Sequence, residues 1–103
     1  MTKPVIDVLP RKGRFFEVLQ ETGRSQTAVM TVEAGGDGGP EETHAGDQVV
    51  YVIEGHGVLT IAGREHEVGP GTCAMIPAGT LHHVRNSGRT PLFFLSVYAP
   101  PAY

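Results

Sequence analysis

Eight short strand-like runs follow one another along the chain. They are FFEVLQ (15–20), TAVMTVEA (27–34), QVVYVIE (48–54), GVLTIAG (57–63), REHEVG (64–69), TCAMIP (72–77), HHVRN (82–86) and LFFLSVYA (92–99). Breakers separate them about every ten residues: Gly35–Gly36, Gly38–Gly39–Pro40, Gly55, Gly63, Gly69–Pro70–Gly71, Pro77–Gly79 and Gly88. No run carries a helical period of useful length, and nothing repeats at the roughly 20–50-residue spacing of solenoids. Strand and turn in regular succession predict an all-β antiparallel sandwich or barrel.

Side chains alternate between the two faces of a strand, so parity assigns each residue a side. In QVVYVIE, Gln48, Val50 and Val52 share one face, and Val49, Tyr51 and Ile53 the other. LFFLSVY divides likewise into Phe93, Leu95 and Val97 against Leu92 and Phe94. A small barrel buries one face of each strand, so apolar residues on both faces call for a second cover. Another subunit is the simplest one, and a homodimer is expected on this ground.

A chain of 103 residues is expected to form one domain over residues 1–103. Residues 1–14 read as an N-terminal arm or edge segment and residues 15–103 as the barrel. Apolar residues make up 40 % and charged residues 18 %, a globular composition. The net charge of −3 gives no dominant basic field, which argues against nucleic acid or an anionic membrane as partner. Lys3, Arg11, Lys12, Arg14 and Arg24 gather near the start and read as a solvated edge. Cys73 is the sole cysteine and lies in an apolar run, where a buried, inert thiol is expected. The first residues lack the apolar core of a signal peptide, and no stretch approaches the roughly 18 apolar residues that span a bilayer. A cytoplasmic protein is the expectation.

The candidate chemistry stands in GPEETHAGDQVVYVIEGHGVL, residues 39–59. Glu42 and His44 are two apart and point the same way in an extended strand. Gln48 keeps that parity, and a bend at Gly46 brings its amide oxygen round to the same point. After the turn signal Pro77–Ala78–Gly79, His82 and His83 open a new strand, so only one of the two faces inward. Two histidines, a carboxylate and an amide converging from two strands make an N/O site for a divalent transition metal such as Mn, Fe, Co, Ni or Zn. Spacing by itself does not bring them together. Taken singly, Glu42 reads as a solvated loop acid and His82 as a hydrogen-bonded structural residue, while His44 stands evenly between ligand and structural roles.

These stretches resemble the paired motifs of the cupin superfamily. The second motif runs glycine, five residues, Pro-x-Gly, two residues, His, three residues, Asn; Gly71, Pro77, Gly79, His82 and Asn86 match it in full. In the first motif, Gly36 and Gly55 fit the ends and His44 fits the second histidine. Glu42 stands where that motif has its first histidine, and Gln48 where it has a glutamate. One carboxylate therefore remains among the four, moved from 48 to 42, with an amide oxygen as the weaker donor. The likeness runs from about Phe15 to Tyr103, and the chain looks like a group of small bacterial cupins often likened to mannose-6-phosphate isomerase or described simply as conserved-barrel proteins. It implies a double-stranded β-helix, or jelly roll, with Glu42, His44, Gln48 and His82 around a metal inside the barrel.

The remaining histidines read as surface or exterior residues: His56 in a glycine-flanked turn, His66 among charged neighbours, His83 turned away from His82. Tyr51 and Tyr98 read as packing residues, Met30 and Met75 as core gap-fillers, and Asn86 as a residue that hydrogen-bonds backbone to hold its motif. Three functions stay open, because this barrel hosts many chemistries. One is a metal-dependent enzyme, isomerase- or oxygenase-like, acting on a small polar metabolite. Another is a module that holds a sugar or organic acid without turning it over. The third is a stable dimer whose metal is only structural.

Overall fold

In the computed structural model, residues 2–103 are described. After a single 3-10 turn at Leu9–Arg11, the chain forms eight strands. They are β1 (Phe16–Glu21), β2 (Gln26–Val32), β3 (Asp47–Glu54), β4 (Gly57–Ile61), β5 (Arg64–Val68), β6 (Cys73–Ile76), β7 (His82–Asn86) and β8 (Leu92–Ala99). Each falls within a run predicted from the pattern or within a residue of it. Five strands make one antiparallel sheet in the order β1-β2-β8-β3-β6, and three make a second in the order β5-β4-β7. The fold is an all-β jelly-roll barrel. Among the described residues no helix is long and apolar enough to cross a membrane.

The core lies between the sheets. Val32, Val50, Val52, Leu59, Val68, Ile76, Leu92 and Phe94 form one buried cluster, with Met30, Ile61, Ala74 and Val84 packed against it. Register decides what joins them. Gln26 pairs with Tyr98, Tyr98 with Gln48, and Gln48 with Ile76, so these four form one row across the large sheet. All four are buried, at 1 %, 4 %, 5 % and 2 % exposure. Two amides and a phenol therefore close one end of an otherwise apolar interior, where each polar atom needs a partner.

Part of the second cover for the doubly apolar strands comes from the chain itself. Lys12 pairs with Glu54, Gly13 N donates to Thr31 Oγ1 at 2.9 Å, and Thr31 N donates to the carbonyls of Arg14 and Phe15 at 3.1 Å. Beneath this segment Val29 and Phe93, on the outer face of β2 and β8, are each 1 % exposed. Farther along the same sheet three expectations are corrected. Tyr51 is 45 % and Met75 58 % exposed, and Cys73 is exposed too. Cys73 pairs with Tyr51 and Met75 with Val49 on the outer side of edge strand β6, beyond reach of the core. His56 and His66 lie on the surface, as expected. Asn86 is 5 % exposed and donates to Val32 O at 2.9 Å and Thr90 O at 2.8 Å, while its Oδ1 accepts from Gly88 N at 2.8 Å.

Candidate metal and ligand site

Glu42 and His44 lie in the loop before β3, Gln48 in β3 and His82 at the start of β7, and the backbone ties these segments together. Glu42 N donates to His82 O at 3.0 Å and His82 N to Glu42 O at 2.9 Å. Gly79 N donates to His44 O at 2.8 Å, and Ala78 N to Asp47 Oδ1 at 2.9 Å. The turn at Pro77–Gly79, with Gly79 at φ +74°, thus lies against the loop that leads into β3. Gly46 packs on Ala99 O and Pro100 Cδ so closely that any Cβ would overlap them. Only glycine fits at this bend, and register in β3 turns Gln48 inward opposite Tyr98 and Ile76.

Glu42, His44, Gln48 and His82 all line one cavity between the sheets. The His44 and His82 rings are 5.0 Å apart, centroid to centroid. His82 Nδ1 is 3.0 Å from Thr80 O, and a carbonyl only accepts, so this nitrogen carries the proton and Nε2 is left bare. His44 Nε2 is 3.2 Å from both Glu42 Oε2 and Tyr103 Oη, while Tyr103 Oη donates to Glu42 Oε2 at 2.9 Å. The proton on His44 then belongs on Nε2, and its Nδ1 is a bare lone pair. Nδ1 is buried without a partner. So is Gln48 Oε1, because the amide nitrogen of Gln48 points instead at Ser96 Oγ (3.2 Å) and Tyr98 Oη (3.4 Å).

Burial and the neighbouring His82 hold His44 below its ordinary imidazole pKa, against an upward pull from Glu42 and Gln48. Burial raises the phenol of Tyr98. Burial and the hydrogen bond to Glu42 raise that of Tyr103. At neutral pH His44 is therefore an uncharged imidazole and both phenols are neutral, beside Glu42, His82 and the amide of Gln48.

That donor set fits a divalent first-row cation. Three acceptor atoms without a hydrogen, two of them buried and unpaired, face one cavity beside a carboxylate, and an electropositive centre would satisfy all of them. As placed, the His, Cys, Asp and Glu side chains of the described residues do not close into a metal-holding group of three or more. Glu42 and His44 are engaged with Tyr103 and with each other.

Two side chains that reach the site escaped the sequence reading. Tyr98, expected only to pack, presents its hydroxyl to Gln48, and its parity with Ser96 and Phe94 on the inner face was the available signal. Tyr103 had no such signal, because it lies beyond the last strand. His83, expected on the exterior, is half-buried at the cavity wall with Nε2 4.0 Å from Asp37. The cavity offers about 50 Å³. Its remaining wall is apolar, with Met30, Val50, Leu59, Ile76, Val84 and Phe94.

Comparison with known proteins matches residues 28–98 to the model of the cupin domain. The YrkC protein of Bacillus subtilis strain 168 is 32 % identical over 98 residues, 88 % of this chain and 53 % of that protein. The chain spans about half the length of the first curated relatives it matches (53 % and 46 %). Among solved structures, BH2720 from Bacillus halodurans is similar with a TM-score of 0.88 at 33 % identity, covering 98 % of this chain and 84 % of that one. A conserved protein with a double-stranded β-helix domain from Klebsiella pneumoniae has a TM-score of 0.82 at 27 % identity, covering 98 % and 94 %.

Proposed function

This chain belongs to the cupin-domain family, and we propose that it holds a divalent metal ion through Glu42, His44, Gln48 and His82 and acts there on a small molecule. The observation that carries the reading is the pair of buried, unpartnered acceptors, His44 Nδ1 and Gln48 Oε1, on the wall of one cavity. An isolated acceptor of this kind costs about 1–3 kcal/mol, and a bound cation removes the cost. When bound, the metal supplies Lewis acidity for an isomerase- or oxygenase-like reaction.

The protein's own groups set what enters. No Lys or Arg is among the described lining residues, and Glu42 is the only acid. A phosphate or dicarboxylate would meet no compensating cation from the chain, which favours a compact molecule of low charge with a hydroxyl or carbonyl at its polar end. The apolar wall takes its carbon skeleton and excludes water. Tyr98 and Tyr103, both held neutral, are hydrogen-bond donors at its polar end.

A second reading, a binding module without turnover, has its own support. Outside the four proposed ligands, the cavity offers as titratable groups only two reluctant phenols and His83. Calorimetry with small hydroxy and keto compounds, followed by product analysis, separates the two. Binding without product favours the module. The cytoplasmic location and the homodimer belong to the same proposal, the latter supported by exposed Tyr51 and Met75 on one sheet face.

Elemental analysis of protein purified without added metal tests the site, repeated on Glu42→Ala and His44→Ala. About one ion per chain in the parent and much less in either variant is expected. Equal metal in all three would show that the ligands are misassigned.

A further inference from the structure

Tyr103 lies beyond the last strand and exposes 55 % of its surface, yet its hydroxyl reaches Glu42 at 2.9 Å and His44 at 3.2 Å inside the cavity. Its ring packs on Phe16 (4.7 Å between centroids), Tyr98 (5.3 Å) and His44 (5.6 Å). A residue half in solvent and half against the site stands between the two. The main chain around it is clamped by Gln26, which is 1 % exposed. Gln26 Oε1 accepts from Ala102 N at 3.2 Å and Tyr103 N at 3.1 Å, and its Nε2 donates to Tyr103 O and Glu21 Oε1, both at 2.6 Å. Three of the four hydrogen bonds of this buried amide go to the main chain of residues 102 and 103, so it holds Tyr103.

With Tyr103 in place the cavity's 50 Å³ has room for about one or two water molecules, at roughly 30 Å³ each. Ordinary ligand sites have about 300 Å³ or more. We propose that Tyr103 is the gate and size-determining residue of this cavity, held closed by Gln26, and that any organic ligand beyond a few heavy atoms enters only when Tyr103 swings out. The hinge side is the clamp, and the latch is the pair of hydrogen bonds to Glu42 and His44. Tyr103 therefore sets which molecules reach the site, and its role stands whether or not an ion is bound.

Histidine modification by diethyl pyrocarbonate, followed peptide by peptide on protein treated with a chelator so that no ion shields His44 or His82, reads the gate directly. His56 and His66, exposed on the surface, serve as references within the same molecule. In the parent, His44 and His82 should react at least several-fold more slowly than these two. Tyr103→Phe should speed His44 and His82 by about tenfold, because one charged hydrogen bond changes an opening equilibrium by about that factor, and Tyr103→Ala, which also deletes the ring, by more. Gln26→Ala, which leaves the phenol intact, should act in the same direction. Unaltered His56 and His66 rates calibrate the reagent, and a cooperative melt close to the parent's shows that each variant is folded. Rapid modification of His44 in the parent, or unchanged rates in Tyr103→Ala, would overturn the proposal. Absence of metal from the parent, or equal metal in parent and ligand variants, with an intact gating effect would sink the metal reading alone.

Discussion

Glu42 and His82 face each other across a two-residue bridge and exchange both main-chain hydrogen bonds, at 3.0 and 2.9 Å. Side chains on a directly opposed antiparallel pair lean to the same face, so a carboxylate and an imidazole from distant parts of the chain come to the same cavity wall. Backbone, and not side-chain attraction, sets this meeting. The site is thus part of the fold and forms with it.

Gln48 separates ligand chemistry from packing. Gln48→Leu deletes the unpaired Oε1 together with the bonds to Ser96 and Tyr98. In metal-free protein the two losses nearly offset, and the stability change is expected to stay within about 1 kcal/mol. Metal uptake should fall by about tenfold or more. Urea melts and elemental analysis of the same preparations check both; a large loss of metal-free stability with full metal content would refute the assignment.

The lowered pKa of His44 gives a pH dependence with a definite sign. Its unfolded value is the ordinary 6.5 and the folded value lies below it. Between the two, the unfolded chain binds a proton that the folded chain resists. Stability is complete above about pH 6.5, falls as pH drops through the folded pKa, and then levels off. Melting temperatures between about pH 7.5 and 5 should fall less steeply in His44→Gln than in the parent. Parallel curves would remove His44 as the cause.

Asn86 carries three bonds inside the fold, to Val32 O, Thr90 O and Gly88 N. At about 1 kcal/mol each, Asn86→Ala should cost about 3 kcal/mol by urea denaturation, with the strain of unpaired buried carbonyls included. A loss below about 1 kcal/mol would mean the loops around it hold themselves.

The outer face of the large sheet should mark the homodimer. Tyr51 and Met75, 45 % and 58 % exposed, adjoin half-buried Val49, Leu95 and Val97. Tyr51→Glu with Met75→Glu places charges where apolar contact is expected and should yield a monomer by light scattering at micromolar concentration. A parent that is already monomeric removes the expectation.

Strands were legible because glycine and proline interrupt the β-branched runs so regularly; Gly55, Gly63, Gly71 and Gly79 all adopt the positive φ that their turn positions demand. Parity also placed Gln48 with Val50 on one face and Tyr51 with Val49 on the other. It did not say which face of an edge strand meets the core, so Cys73 and Met75 were read inward when β6 turns them out.

What the sequence determined by itself is local: turn positions, strand lengths and the alternation of faces, because backbone sterics and side-chain period act between near neighbours. What only the tertiary structure decided is who meets whom. The phenol of Tyr103 reaches Glu42 because Gln26, on a strand from the other end of the chain, holds its backbone there. Contacts of that kind depend on sheet order and register, which no local pattern encodes.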